Sequence, residues 1–456
     1  MQTQIFMVHK RHLGLRAPTV LAVGFALTIL VGALVLMLPV SAADGQITPF
    51  LDALFTAASA SCVTGLVTVS TAVHWSVFGK CVILLLIQIG GLGFMSVAAI
   101  ASFVLRRTIT LHERMVMSAG LNLSDGGGIV RLTRRVLFGT FIIEGAGAIL
   151  LSCRFVPHYG FPKGITMGVF HAVSAFCNAG FDLMGTPDDP FQSLIGWAED
   201  PLVNITVMAL IVLGGLGFFV WSDVWDKHSF CRLRLHTKIV LTATAGLLLF
   251  GFGWTLLFEW SNPATLGAFD TPHKLLAAAF ESVTLRTAGF NTIDLGALTG
   301  PSQAVSCLLM FIGGSPGSTA GGIKTVTAAV LVLTAISAFC GRTTVSAFGR
   351  TIAPRSIMNA VTLLMAGGVL CLVGACAIAG IEDAPFHQCL FEAVSAFGTV
   401  GVSMGLTPTL AAASRVILIV MMYMGRVGVL TLGVAVFMRR REPPRLKYPD
   451  ADVFIG

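Results

Sequence analysis

The chain has 456 residues, of which 55% are hydrophobic and only 11% are charged. A soluble domain usually carries about 25% charged residues, so this composition excludes a soluble globule of this length. The net charge of +7 does not indicate nucleic acid binding. The segments between the long apolar runs are alternately rich and poor in Lys and Arg, so the positive charge is not gathered in one binding surface.

Eight apolar runs follow one another, and each is long enough, or nearly so, to cross a bilayer as a helix of about 20 residues. They are 18–40, 81–104, 136–151, 202–221, 237–258, 325–340, 356–380 and 412–438. When the connecting segments are assigned alternately to two sides, most Lys and Arg fall on the side of the two termini. This positive-inside pattern predicts that both termini are cytoplasmic. The first run exceeds the roughly 7–15 apolar residues of a signal peptide, so we expect it to be retained.

Four short glycine-centred stretches recur at intervals of about 110 residues. They are Cys62–Leu66, Cys177–Phe181, Arg286–Phe290 and Gly398–Val402. A phenylalanine lies ten residues before the glycine in three copies and nine before it in the third copy (Phe55, Phe170, Phe391 and Phe280). A glycine-rich element follows each copy. The segment that starts at each phenylalanine is too short to span a membrane, so we predict a half-helix that enters and stops.

The predicted fold is an all-α integral membrane protein with four tandem helix, pore-helix, filter-loop and helix repeats around one pseudo-fourfold pore. It is potassium-channel-like and has eight transmembrane helices. The predicted layout is a cytoplasmic tail at 1–17, pore repeats at 18–104, 136–225, 226–340 and 341–438, a cytoplasmic linker at 105–135 and a cytoplasmic tail at 439–456.

The four glycine loops have the composition expected of a cation filter. A re-entrant, non-helical loop in a membrane must face protein or water, and four such loops can turn carbonyl oxygens toward a dehydrated potassium ion. The predicted filter residues are Val63, Thr64, Gly65, Asn178, Ala179, Gly180, Thr287, Ala288, Gly289, Thr399, Val400 and Gly401. The competing interpretation, glycines that only pack helices together, does not account for four copies with matching flanks. For the glycine-rich elements that follow the loops, close helix packing is the favoured interpretation.

The third repeat contains a stretch that should break its second spanning helix. Residues 313–325 read GGSPGSTAGGIKT, and five glycines with one proline are incompatible with a regular helix. We predict an intramembrane gate, with a passive helix break as the alternative. The gate residues are Gly313, Gly314, Ser315, Pro316, Gly317, Ser318, Thr319, Ala320, Gly321, Gly322 and Lys324. A nucleotide-binding loop is excluded because Ile323 separates Gly322 from Lys324 and no strand precedes the stretch.

The repeated loops and the broken third helix resemble the KtrB/TrkH/HKT superfamily of cation transporters from residue 17 to the end of the chain. Only a short basic tail precedes the first repeat, whereas TrkH-type relatives usually carry an extra pair of helices, which favours the KtrB type. A serine in place of the first filter glycine is associated with sodium transport in this superfamily. Gly65 therefore implies a preference for potassium.

The resemblance also implies partners and a location. It implies a homodimer in which each chain keeps its own pore, in contact with lipid in the bacterial inner membrane. It implies a cytoplasmic ring of KtrA-type subunits that bind adenine nucleotides, with the 105–135 linker and the C-terminal tail as docking surfaces. The chain itself is expected to bind no cofactor, and potassium is its substrate. Sodium dependence is known in the family, but no residue here establishes it.

Few charged residues lie inside the apolar runs, and each of them is a candidate for function. By resemblance, Arg426 projects into the cavity below the filter as an electrostatic barrier, together with Lys324; the alternative is a structural pair with Glu144. Arg286 is expected to brace the third filter loop through Glu281 or Glu392. Asp182 and Asp294 either concentrate cations near the outer mouth or are ordinary solvated loop acids.

Two other classes of protein fit the sequence less well. A secondary transporter with alternating access often has inverted repeats and intramembrane acids, whereas these repeats share one orientation and few acids lie at mid-depth. An intramembrane enzyme would need a reactive constellation, and the sequence has neither an HExxH motif nor a Gly-x-Ser-x-Gly motif. We therefore expect a non-enzymatic potassium uptake pore, with a secondary cation transporter as the alternative.

Overall fold

A computed structural model describes residues 17–93, 129–429 and 431–433 of the chain. Within these ranges almost all regular structure is helical, and the helices repeat four times in the order outer helix, pore helix and inner helix. Three predicted segments lie outside the described residues. They are residues 1–16 of the N-terminal tail, residues 105–128 of the linker and the C-terminal tail at 439–456.

The outer helix of each repeat is its longest helix. These helices are α1 (Ala17–Leu36), α4 (Ile129–Tyr159), α8 (Leu235–Glu259) and α12 (Pro354–Ala379). In the described part of the chain, these four are long and apolar enough to cross a membrane, and a fifth span exists if one bent helix pair counts as one. Large apolar side chains such as Leu249, which is 70% exposed, face outward. Such a surface is suited to lipid and not to water.

The pore helices are short and central, as the sequence predicts. They are α2 (Phe50–Cys62), α5 (Phe161–Phe176), α9 (Thr271–Thr284) and α13 (Phe386–Gly398). The phenylalanines that mark the repeat are all buried in the core (Phe55, Phe170, Phe280 and Phe391). Each pore helix packs against the outer helix of its own repeat, and its C-terminal end leads into a glycine loop.

Two inner helices are interrupted within the described residues: the break in the third repeat is the predicted one, and the bend in the second repeat is not predicted. The inner helices are α3 (Val77–Leu92), the pair α6 (Pro201–Gly215) and α7 (Phe218–Lys227), the pair α10 (Gly300–Phe311) and α11 (Thr325–Phe339), and α14 (Ala412–Val427). In three repeats the helix ends at a glycine with positive φ: 78° at Gly93, 94° at Gly217 and 90° at Gly428. In the third repeat, residues 312–324 are non-helical.

The prediction of one helix over 202–221 is wrong. The helices α6 and α7 meet at an angle of 92°, because Gly217 leaves the helical conformation and the Phe218 amide donates to the Gly317 carbonyl at 2.9 Å. The run 325–340 forms only the second half of the third inner helix, and α10 is the first half. The runs 81–104 and 412–438 continue past the described residues.

The four repeats are arranged in a closed ring. Each inner helix packs against the pore helix of the next repeat, as in the pairs α3 with α5, α6 with α9, α10 with α13 and α14 with α2. The last pair joins the fourth repeat to the first. A two-stranded antiparallel hairpin, β1 (Ser346–Ala347) with β2 (Arg350–Thr351), connects α11 to α12.

Candidate functional site

The four glycine loops share one unusual backbone conformation. In each loop the central glycine has positive φ, and so does the residue two positions before it. The pairs and their φ values are Val63 (58°) and Gly65 (97°), Asn178 (58°) and Gly180 (68°), Thr287 (72°) and Gly289 (84°), and Thr399 (51°) and Gly401 (94°). Positive φ is uncommon for non-glycine residues and rarer still for β-branched ones. Its recurrence at one position in four loops indicates four copies of a specifically shaped backbone.

The four central glycines lie edge to edge in a ring. A Cβ atom added at Gly65 would lie 2.6 Å from the Ala179 carbonyl oxygen, and one at Gly180 would lie 2.8 Å from that of Ala288. One at Gly289 would lie 2.6 Å from the Val400 oxygen, and one at Gly401 would overlap the Thr64 oxygen. Each glycine therefore abuts the carbonyl that precedes the glycine of the next repeat. The structure brings the predicted filter residues together around one axis. At the central position of each loop only glycine fits, because a Cβ atom would collide with the neighbouring carbonyl.

Hydroxyl groups on the pore helices hold these loops from behind. The hydroxyls of Ser174, Thr284 and Ser395 donate to the Phe181, Phe290 and Val402 carbonyls at 2.7, 2.6 and 2.7 Å. Ser59 accepts from the Gly65 amide at 3.0 Å, and Ser395 accepts from the Gly401 amide at 3.2 Å. Sequence reasoning missed these four residues, although a hydroxyl recurs near the end of each pore-helix motif.

The 312–324 segment, here called the gate loop, docks on the second repeat. The Ser315 and Thr319 amides donate to the carbonyls of Gly215 and Gly214 at 3.0 and 3.3 Å. The Thr319 hydroxyl donates to the Phe176 carbonyl at 3.3 Å. These bonds occupy carbonyls at the ends of α5 and α6 that a helix terminus leaves without intrahelical partners.

The gate loop also lies directly against the filter. A Cβ atom at Gly313 would come within 3.2 Å of the Thr287 Cγ2 atom, and one at Gly322 within 3.1 Å of the Gly398 Cα atom. One at Gly321 would overlap the Thr399 side chain. The Thr319 hydroxyl also lies 3.4 Å from the Asn178 side-chain oxygen, so the predicted gate residues contact three of the four glycine loops.

Arg426 bridges the gate loop to the first repeat. Its Nη1 atom donates to the Thr319 carbonyl, and its Nη2 atom donates to the carbonyls of Gly90 and Gly91, the latter at 3.2 Å. Lys324 Nζ donates to the Ala320 carbonyl at 2.6 Å. Both side chains therefore bind the backbone around the gate loop.

The alternative pair of Arg426 with Glu144 is wrong. Glu144 accepts instead from the Gln88 amide at 3.1 Å and from the Cys177 thiol at 3.8 Å. The expected bond of Arg286 to Glu281 or Glu392 is also wrong. Glu392 accepts from the Met404 amide and the Thr407 hydroxyl at 3.2 and 2.6 Å, and Arg286 binds the ends of the gate loop.

Two cavities flank the filter and the gate loop. The cavity on the filter side has a volume of about 250 Å³ and is lined by Gly180, Gly289, Asp182 and Asp294. The cavity on the gate side has a volume of about 540 Å³ and is lined by gate-loop residues, with Lys324 and Arg426. The order along the axis is a cavity with two acids, the glycine ring, the gate loop, and a cavity with two basic side chains.

Comparisons with known proteins agree with this architecture. Residues 10–442 match the TrkH family model, described as a cation transport protein. The chain is 42% identical to the Ktr system potassium uptake protein B of Bacillus subtilis (strain 168) over 96% of each chain. It is 40% identical to the potassium/sodium uptake protein NtpJ of Enterococcus hirae over 96% of each. The crystal structure of the potassium transporter TrkH from Vibrio parahaemolyticus has a TM-score of 0.72 at 17% identity, covering 94% of this chain and 86% of that one.

Proposed function

This chain belongs to the TrkH family of cation transport proteins, and from that premise we propose that it takes up potassium through the glycine ring, with the gate loop controlling passage. It is an integral membrane transport protein and not an enzyme, in line with relatives that are potassium uptake proteins. The observation that carries the proposal is the closed ring of four glycine loops with matching positive-φ backbones.

The ring suits a dehydrated monovalent cation. Carbonyl oxygens that face a common axis replace the hydration shell of the ion. The ring glycines are packed against neighbouring carbonyls, so a side chain at these positions would alter the spacing of the oxygens. Asp182 and Asp294, which line the filter-side cavity, would raise the local cation concentration before entry.

The gate loop and Arg426 would keep the pathway closed at rest. The loop is packed against the filter residues Thr287 and Thr399, and the Arg426 guanidinium binds it to the first repeat. A guanidinium beside the ion path repels cations electrostatically, and this repulsion is strong where little water screens it. Passage would then require the gate loop and Arg426 to move away from the axis.

The orientation in the membrane follows from charge. The excess of Lys and Arg on the side of the termini supports cytoplasmic termini, with the filter-side cavity outside and the gate-side cavity inside. The location would be the inner membrane of a bacterium. The layout of four pore repeats with the boundaries given above is part of this proposal.

A relative is named as one protein of a Ktr system, which supports the expectation that the chain works with other subunits. These would be a second copy of the chain and a cytoplasmic KtrA-type ring. A second relative is named for potassium and sodium, so sodium would act either as an activator or as a second transported ion.

The test is rubidium uptake at low external potassium by a bacterium that lacks its own potassium uptake systems. The chain would be expressed with and without a KtrA-type partner. We expect uptake that favours potassium over sodium, and Gly65→Ser should weaken this preference by about tenfold, since a strained filter backbone loses about 1–2 kcal/mol of discrimination.

Gly45→Ser is the matched control, because Gly45 also has positive φ (70°) but a Cβ atom there would meet no atom of the described chain within 4 Å. This variant should keep the preference for potassium. Absence of uptake with and without the partner would contradict the proposed function. Unchanged selectivity in the Gly65→Ser variant would contradict the assignment of the filter.

A further inference from the structure

Arg286 lies at a repeat position that a small residue fills in the other three repeats. The residues three positions before the filter glycines are Cys62, Cys177, Arg286 and Gly398. Arg286 is only 7% exposed, and it takes part in none of the ion pairs among the described residues. Burial of a guanidinium without a carboxylate is costly, so its bonds to the backbone and to a hydroxyl need an explanation.

Those bonds join the two ends of the gate loop. Arg286 Nη2 donates to the Thr325 hydroxyl oxygen at 2.8 Å and approaches the Gly313 carbonyl at 3.4 Å. The Thr325 hydroxyl in turn donates to the Gly313 carbonyl at 2.9 Å. Gly313 lies at the start of the loop, and Thr325 is the first residue of the helix that follows it. Arg286 precedes the filter residue Thr287 directly, so one side chain links the filter to both ends of the gate loop.

The third repeat needs this link because its inner helix is absent at this level. In the other three repeats, an inner-helix glycine packs against a pore-helix carbonyl (Gly90 on Ser61, Gly214 on Phe176 and Gly425 on Phe397). In the third repeat, Gly313 packs against the Gly321 carbonyl of the gate loop itself. A planar guanidinium with several fixed donors can reach two acceptors at once, and here it joins the two loop ends where the other repeats have a continuous helix.

The geometry points to Arg286 as a positioning residue that holds the gate loop closed. We call Arg286, Gly313 and Thr325 the gate clasp. With its two ends fastened together beneath the third filter loop, the gate loop stays folded against the ring. When the clasp opens, the two ends lose one of the links between them, alongside the backbone bond from the Thr325 amide to the Gly314 carbonyl, and the loop leaves the axis more readily. This inference rests on the proposed function and adds a residue that ties the filter to the gate.

The test measures rubidium flux into proteoliposomes that contain the full-length chain, in the absence of any partner. The variants are Arg286→Gln, Arg286→Lys, Thr325→Val and the double variant Arg286→Gln/Thr325→Val. Loss of a buried charge-assisted hydrogen bond should raise the basal flux by roughly tenfold in Arg286→Gln and by a smaller factor in Thr325→Val. Because both changes break one clasp, the double variant should not exceed Arg286→Gln, and Arg286→Lys should be intermediate.

The selectivity for potassium over sodium separates a gate clasp from a filter brace, and it should stay at the wild-type value in every variant. Arg154→Gln is the control, because this arginine pairs with Asp200 and its side chain is 52% exposed. Basal flux at the wild-type level in Thr325→Val and Arg286→Gln would overturn the inference, and so would a loss of selectivity. If Arg286→Gln does not fold, Thr325→Val, which keeps the side-chain volume, decides alone. A wild-type chain without any flux, with or without a partner, would count against the proposed function instead.

Discussion

At the scale of single residues, the hydroxyl groups behind the filter decide how firmly each loop is held. Ser395 makes two bonds, one to the Val402 carbonyl and one from the Gly401 amide. Ser174 and Thr284 each make one bond to their own filter loop. The fourth filter loop is therefore the one most strongly fixed by a single side chain.

We predict that Ser395→Ala reduces the discrimination between potassium and sodium. Two lost hydrogen bonds are worth about 1–2 kcal/mol, which corresponds to roughly a fivefold to thirtyfold change in an equilibrium. The measurement is the ratio of potassium to sodium flux. Ser414→Ala is the control, since Ser414 is equally buried but its hydroxyl has no hydrogen-bond partner among the residues that the structure describes. A change of the same size in both variants would show that the hydroxyl bonds are not the cause.

The sequence predicts which loops meet in the glycine ring and where the third inner helix breaks, but not what the charged side chains beside them bind. The ring glycines were predictable because the backbone conformation they allow is a local property of the loop. The partners of Arg426 and Arg286 are mainly backbone carbonyls of the gate loop and of α3, and every residue carries such an acceptor. Acids such as Glu144 stand out in a sequence, whereas a carbonyl left free by a broken helix does not.

At the scale of helices, the inner helices approach the pore helices through glycine. A Cβ atom added at Gly214 would overlap the Phe176 carbonyl oxygen, and the same is true of Gly90 against Ser61 and Gly425 against Phe397. These contacts confirm the interpretation of the glycine-rich elements as sites of close packing. They also place an inner helix immediately behind three of the four filter loops.

We predict that Gly214→Ala lowers the thermal stability of the purified chain. The added methyl group forces α6 away from the pore helix, and overpacking of this kind costs about 1–3 kcal/mol. Gly246→Ala is the matched control, because Gly246 lies within α8 and a Cβ atom there would have no neighbour within 4 Å in the part of the chain that the structure describes. This control should be neutral or gain about 0.5–1 kcal/mol from helix propensity. Equal melting temperatures for the two variants would contradict the packing argument.

The interrupted inner helices show what a hydropathy pattern leaves out. The break at 312–324 was predictable, because Pro316 and five glycines oppose a helix. The bend at Gly217 was not, since a single glycine is tolerated within an apolar run and the bend depends on a bond from Phe218 to the gate loop. A local pattern predicts the first break, and a contact between distant segments determines the second.

At the scale of the whole molecule, the ring must close between the first and the last repeat. Arg415 at the start of α14 donates to Asp52 of the first pore helix at 2.7 Å, and the Thr68 hydroxyl donates to the same carboxylate at 2.8 Å. The side chains of Arg415 and Asp52 are only 21% and 16% exposed. This ion pair adds to the packing of α14 against α2.

We predict that Arg415→Ala lowers the melting temperature of the purified chain. A partly buried, charge-assisted bond is worth about 1.5–3 kcal/mol. Arg135→Ala is the control, because the Arg135 pair with Asp226 is 48% and 50% exposed and exposed pairs contribute at most about 1 kcal/mol. If Arg135→Ala were the more damaging change, the idea that Arg415 closes the ring would be wrong.

The repeat itself made the overall arrangement predictable. Four copies of one unit in one orientation imply a ring, and the structure confirms the order of the units around it. The run 202–221 was predicted as one continuous helix and is bent, because hydropathy reports the length of an apolar run and not whether the backbone turns within it. The ion pair of Asp52 with Arg415 could not be predicted from a local sequence pattern, because the two residues are far apart in the sequence.

The single chain has a consequence for how such a pore can vary. In a channel built from four identical subunits, every substitution appears four times, and a blocking segment on one wall would appear on all of them. Here each wall is encoded separately, so one substitution alters a quarter of the ion path. The chain can therefore keep a nearly symmetric ring while one wall carries the gate loop, and in the proposed mechanism opening would require one segment to move rather than four in concert.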